Sequence, residues 1–196
     1  MALTKDVSIV DAVGAAMASA ATIVGADANI ADAYEAQLYV YHAVATTTAH
    51  TASTQPSARI EVSPDATIDD AWTTFVELSF STTSALSTTL NGQINAGSTT
   101  AVLTAGTNFP RSTLAFIVNS TPADSEWVEV AQLATNTATL ADGVTKTQAT
   151  GLTILTQAER RTVLLPFGAK RVRVVYYGAT GPTSVFQTKL LKVTAI

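Results

Sequence analysis

Ala36-Gln37-Leu38-Tyr39-Val40-Tyr41-His42 changes character at every step. Successive side chains of an extended strand point to opposite faces. Ala36, Leu38, Val40 and His42 therefore share one face, and Gln37, Tyr39 and Tyr41 the other. The same period recurs in Arg59-Ile60-Glu61-Val62-Ser63, closed by a Pro64-Asp65 turn, and in Arg171-Val172-Arg173-Val174-Val175, where both arginines fall on one face. Further strands are expected over 72–80, with Phe75, Val76 and Leu78, and over 162–165, before a Pro166-Phe167-Gly168 turn. Ser184-Val185-Phe186 leads into a last strand over 188–193, after a turn at 178–182. Residues 46–57 form a Thr/Ser/Ala-rich run ending near Pro56, the composition of a loop.

The segment 7–26 stays open between two readings. Val7, Val10, Val13, Met17 and Ala21 mark one face of a helix capped by Asp6, or the same residues form short strands divided at Gly14 and Gly25. Asp6 and Asp11 and the dominance of small residues argue against a signal or membrane helix there, so the chain reads as soluble.

Between residues 86 and 156 the sequence turns Thr-, Gly- and Asn-rich, with Arg111 and Lys146 its only cations. Strands are expected at 101–103, 114–118, 126–133, 138–140 and 152–155. Turn signals separate them at Asn91-Gly92, Ala96-Gly97, Asn108-Phe109-Pro110, Thr121-Pro122 and Asp142-Gly143. Five short strands so spaced indicate a small β-barrel or sandwich. The flanking segments match each other in composition. The expected architecture is thus all-β: an antiparallel, jelly-roll-like β-sandwich from 1–85 and 157–196, interrupted by a small β domain over 86–156, with a short N-terminal helix as the open alternative. Loop-closure entropy grows slowly with length, so such an insertion costs little.

No cysteine occurs among the 196 residues, which excludes disulfides and thiolate metal sites. Only 13% of residues are charged, about half the usual share. A skin so poor in charge suits close packing against other subunits. The net charge of −4 is unevenly spread. Up to Glu77 there are ten acids against Lys5 and Arg59. From Glu159 onward a single acid faces Arg160, Arg161, Lys170, Arg171, Arg173, Lys189 and Lys192. Opposed poles fit head-to-tail contact between copies, or equally strands from the two ends neutralising each other inside one sheet.

The middle segment resembles a small β module that recurs in structural proteins of tailed bacteriophages. The likeness rests on Ser98-Thr99-Thr100-Ala101-Val102, Asn108-Phe109-Pro110, the 114–118 strand, Glu126-Trp127-Val128-Glu129-Val130, Asn136-Thr137-Ala138-Thr139-Leu140 and Gly151-Leu152. The module's usual Arg-Gly-x-x-Gly-Thr turn is absent. The outer segments look like the β-sandwiches of neck, decoration and fibre-associated phage proteins, with a closing Arg171-Val172-Arg173-Val174-Val175 strand. The resemblance implies a non-enzymatic virion component at the capsid surface or the head-to-tail neck, assembled in the host cytoplasm. Its partners would be capsid, portal, neck or tail subunits and further copies of itself, without nucleic acid or membrane. A tail- or fibre-associated protein, or a host-glycan-binding sandwich using Trp72 or tyrosines, is the alternative.

No residue pattern demands catalysis, a cofactor or a metal. His42 and His50, eight apart, lack the further ligands of a zinc site or an oriented nucleophile, and are read as solvated or interface side chains. Asp65, Asp69 and Asp70 lack EF-hand spacing and read as a solvated turn. Glu126 and Glu129, three apart on a strand, face opposite ways and make no acid–base pair. No phosphate-binding glycine loop ends in Lys-Ser or Lys-Thr. Asn119-Ser120-Thr121 fits the glycosylation pattern, which matters only on secretion. Arg160-Arg161 and the 170–173 cations are expected to meet acidic partners or the N-terminal carboxylates, since the pI near 5.0 disfavours general nucleic-acid binding. Trp72 and Trp127 read as packing anchors.

Overall fold

A computed structural model describes residues 3–11, 21–44, 55–68, 71–81, 87–107, 109, 113–178 and 184–195. Fourteen strands are named within them. Those of the two outer segments are β1 (Leu3–Asp11), β2 (Thr22–Val24), β3 (Ala28–Asn29), β4 (Ala33–Val44), β5 (Ser57–Ser63), β6 (Thr73–Ser79), β12 (Thr153–Leu164), β13 (Arg171–Tyr177) and β14 (Ser184–Ala195). Between them lie β7 (Ser87–Thr89), β8 (Thr100–Val102), β9 (Thr113–Val118), β10 (Glu126–Ala134) and β11 (Thr137–Leu140).

All pairings between these strands are antiparallel. One outer sheet runs β1-β14-β4-β12, and the other β2-β13-β5-β6, with β3 also on β13. β2 and β3 pair with opposite ends of β13, at Val175–Tyr177 and at Arg171–Val172, and so act as one broken edge strand. Counted that way, eight strands in chain order fall onto two sheets, 1-8-3-6 facing 2-7-4-5, and only strands 4 and 5 follow each other within one sheet. This is the double Greek-key wiring of a jelly roll.

The alternation in the sequence decides which faces meet. Leu38 and Val40 of β4, Ala58 and Ile60 of β5, Val172, Val174 and Tyr176 of β13, and Phe186 and Leu190 of β14 are all buried in one cluster between the sheets. Each fully buried large aliphatic side chain contributes about 1.5–3 kcal/mol. The Tyr176 hydroxyl, which would be costly to bury alone, lies 2.5 Å from the buried Thr188 Oγ1.

β1 settles the N-terminal alternatives for part of the segment. Residues 3–11 are extended, and eight register pairs tie them to β14. Asp6, the expected helix cap, sits opposite Lys192 in mid-strand. Sheet pairing with a partner far away in sequence overrides the local helical pattern. Residues 12–20, where the rest of that pattern lies, fall outside the described residues, as does His50.

A second buried cluster joins Leu90, Leu103, Ala115, Ile117, Val130, Leu140 and Ile154, all from the middle segment. A third, with Ala43, Phe116, Leu155, Ala158 and Val185 and with Trp127 packed on it, draws on both. β12 itself runs through both regions. Its first half pairs with β7 and β9, and Glu159 to Leu164 pair with β4. A shift in register between Leu155 and Ala158 marks the change of partner. The sequence suggested two separate strands here, at 152–155 and 162–165. Glu159, Arg160 and Arg161 continue the strand between them, opposite His42, Tyr41 and Val40 of β4.

At Gly143 the backbones come too close for any side chain. A Cβ there would lie 2.5 Å from the Gly97 carbonyl oxygen. Gly143→Ala should destabilise the protein by about 1–3 kcal/mol, because rigid backbone must yield. Chemical denaturation of the variant beside the parent measures this, and an unchanged midpoint would contradict the close approach.

Candidate interaction surface

The outer face of the β2-β13-β5-β6 sheet carries a ladder of charges and rings. Cross-strand register sets Arg173 opposite Glu61, and Val175 opposite Arg59. Arg173 Nε donates to Glu61 Oε2 at 2.7 Å. The other carboxylate oxygen lies 2.9 Å from Arg59 Nε. The guanidinium of Arg59 stands 5.4 Å from the Tyr177 ring centre, and those of Arg173 and Arg171 stand 4.3 and 4.9 Å from Trp72. Arg171 goes deeper. It is 6% exposed and donates to the carbonyls of Asp65 (3.1 Å) and Ile68 (2.5 Å) and to Asp27 Oδ2 (3.2 Å). Lys192 adds a weaker, solvent-facing pair with Asp32 at 3.3 Å.

These contacts alter the meaning of the charge asymmetry. Arg171, Arg173 and Lys192 reach acids of the N-terminal half within the same chain, as the intramolecular reading expects. Arg171 and Arg173 do share a face, and there each is tied to an acid of its own chain. Arg161 pairs with Glu159 at 2.9 Å, both partly exposed. Trp72 is the platform on which the two arginines rest.

His42 is not the solvated or interface residue its sequence context suggested. It is 2% exposed, with Phe80 and Phe186 ring centres 5.0 and 4.9 Å away, and its Nε2 lies 3.3 Å from Ser184 Oγ. Its position on the apolar side of the β4 alternation was the signal for burial. Asp65 caps its own turn: its Oδ1 accepts from the Thr67 and Ile68 amides at 2.7 and 3.0 Å and from the Thr67 hydroxyl at 3.0 Å. Asp69 and Asp70 lie outside the described residues. Glu126 accepts from Thr145, Lys146 and Gln148, whereas Glu129 is exposed on its strand. Among the described residues no three of His, Asp and Glu come together as metal ligands.

The Asp65 turn yields a pH prediction. Hydrogen bonds from Thr67 and Ile68 hold its carboxyl below the usual aspartate range. A depressed folded-state value means the stabilisation is complete above the ordinary aspartate pKa and disappears as pH falls through the lowered one. The Thr67 and Ile68 amide resonances should therefore hold steady through the ordinary aspartate range and shift only at more acidic pH. A titration of those amides centred at the ordinary value would contradict the cap.

At one end of the sandwich three large apolar side chains are exposed beside Glu35. Phe167, at the tip of the β12–β13 turn, is 95% exposed, and Leu164 and Tyr34 are more than half exposed. They border a cleft of about 410 Å³ over Ile30, Ala36, Leu165 and Ala169. Gly168 takes φ +94°, which lets the turn reverse beneath Phe167.

No protein-family model matches the chain, and no curated protein does. Among solved structures, VP17, a capsid protein of bacteriophage P23-77, is 10% identical with a TM-score of 0.21, covering 100% of this chain and 96% of its own. The VP16-VP17 complex of the two major capsid proteins of the same phage is 9% identical with a TM-score of 0.22, covering 98% of this chain and 100% of that one. Overlap of this degree establishes neither a shared fold nor a shared role.

Proposed function

We propose that the chain is a structural subunit of a tailed-bacteriophage particle, at the capsid surface or the head-to-tail neck, acting through protein–protein assembly and not through catalysis. The observation that carries this reading is the jelly-roll wiring ending in an exposed apolar rim of Tyr34, Leu164 and Phe167. Jelly rolls serve capsids and lectins alike, so the wiring alone names no role. Large apolar side chains gathered in the open around one cleft are costly in a solitary protein and useful where subunits pack. The phage-like sequence pattern of residues 86–156 points the same way. We also propose that these residues are a module inserted between β6 and β12, with its own buried cluster.

Partners in this reading are other virion proteins and further copies of the chain. Gold labelling of the protein on purified particles, viewed by electron microscopy, tests it. Label on the shell or at the junction of head and tail is expected. Label along the tail or fibres would favour the tail-associated alternative, and absence from purified particles would overturn a virion role.

A further inference from the structure

Where the middle segment meets the outer sheet, a second and more polar cleft of about 240 Å³ opens. Its floor follows from strand register. Arg160 of β12 lies directly opposite Tyr41 of β4, and Lys189 of β14 opposite Tyr39, so Arg160, Tyr41 and Lys189 emerge on one face. Trp127 of β10 closes one side, its ring 5.3 Å from that of Tyr41, and residues 142–145 form another wall.

Charge in this cleft is unbalanced in a specific way. Lys189 is half buried, with Nζ 5.3 Å from the Tyr41 ring centre, and no carboxylate stands within ion-pair distance of it among the described residues. Arg160 likewise has no carboxylate partner there. Burial holds the Lys189 ammonium below the usual lysine range. Glu126, whose charge acts on it from a distance, is already engaged by the Thr145 and Lys146 amides, the Thr145 hydroxyl and Gln148. The Trp127 Nε1 is buried with no acceptor. Glu129 and Asp142 stand exposed at the rim.

Lys189 and Arg160, neither in an ion pair among the described residues and Arg160 hydrogen-bonded to the Tyr41 side chain, stand beside an aromatic floor and together can take an anion. Exposed carboxylates on the same rim repel a highly acidic peptide but accept hydrogen bonds from hydroxyls. The volume falls just below the roughly 300–1,000 Å³ of pockets for drug-sized ligands, which suits a single ring. We propose that this cleft binds an acidic sugar residue of a surface polysaccharide, its carboxylate on Lys189 and Arg160 and its hydroxyls on Glu129 and Asp142, against Tyr41 and Trp127. The inference does not depend on where in a particle the chain sits, since binding is read on the isolated chain and particle labelling separately.

Calorimetric titration of the full chain with glucuronate, galacturonate and N-acetylneuraminate, beside glucose and acetate, tests it. At least one acidic sugar should bind saturably, and about tenfold or more tighter than glucose or acetate, because the charge-assisted bonds and the ring contacts must both count. Binding should weaken about tenfold in Lys189→Gln and in Arg160→Gln. Arg160 is exposed, so its variant keeps the test valid if Lys189→Gln fails to fold. The Trp127 indole N–H resonance should shift on saturation. No saturable binding of any acidic sugar overturns the proposal. Acetate binding as tightly overturns the sugar assignment, glucose binding as tightly overturns the carboxylate assignment, and an unaffected Arg160→Gln overturns the location.

Discussion

Phe186→Ala should lower stability by about 3–5 kcal/mol, the range for an aromatic removed from a well-packed core. Phe186 is fully buried, and three rings surround it: His42 at 4.9 Å, Tyr176 at 5.2 Å and Phe80 at 5.5 Å between centres. The neighbours come from β4, β13 and the residue after β6, so both sheets of the jelly roll lose a shared contact at once. They cannot easily collapse into the gap, because His42 is held beside Ser184 and Tyr176 beside Thr188. For a chain of this length the thermal midpoint should fall by on the order of 10 °C. Circular dichroism during heating measures it, and a loss below about 1 kcal/mol would mean the two sheets do not meet at this ring.

Arg171→Glu should cost about 3–5 kcal/mol, as expected when a buried charge loses its partners and a like charge replaces it. The new carboxylate would face the Asp65 and Ile68 carbonyls and the Asp27 carboxylate, none of which can donate to it. By sequence, the 170–173 cations were expected to meet acidic partners or the N-terminal carboxylates. The structure places the Arg171 guanidinium inside the monomer, so the substitution tests folding. Urea unfolding of the isolated chain is the measurement. A variant as stable as the parent would show that Arg171 is free of these partners, and would return the charge asymmetry to intermolecular contact.

Local pattern carried the strands but not their wiring. The alternation from Ala36 to His42, 59–63 and 171–175 emerges as β4, β5 and β13, because one face of each is buried against a facing sheet and the period of two records that directly. Near residue 187 the same rule misled. Ser184 to Ala195 is one strand of twelve residues, and the apparent interruption is Gln187 on the half-buried outer face with Thr188 hydrogen-bonded inside. β1 and β14 pair across nearly the whole sequence, a relation that no window of residues can express. The same limit hid both sites. Tyr39 and Tyr41 on one face were legible, whereas the cleft at Tyr41 draws Trp127, Arg160 and Lys189 from three other strands. Trp72 under two arginines likewise needed the turn after Ser63 to bring it over β13.

β12 carries a mechanical consequence. Since one continuous strand belongs to both hydrogen-bonded regions, the middle segment is not slung from a slack tether. A pull applied to it passes along the backbone of β12 into the row of bonds with β4, loading them in shear and all together, where a hinge would let them peel one at a time. The irregular step between Leu155 and Ala158 is where that load passes from one set of partners to the other.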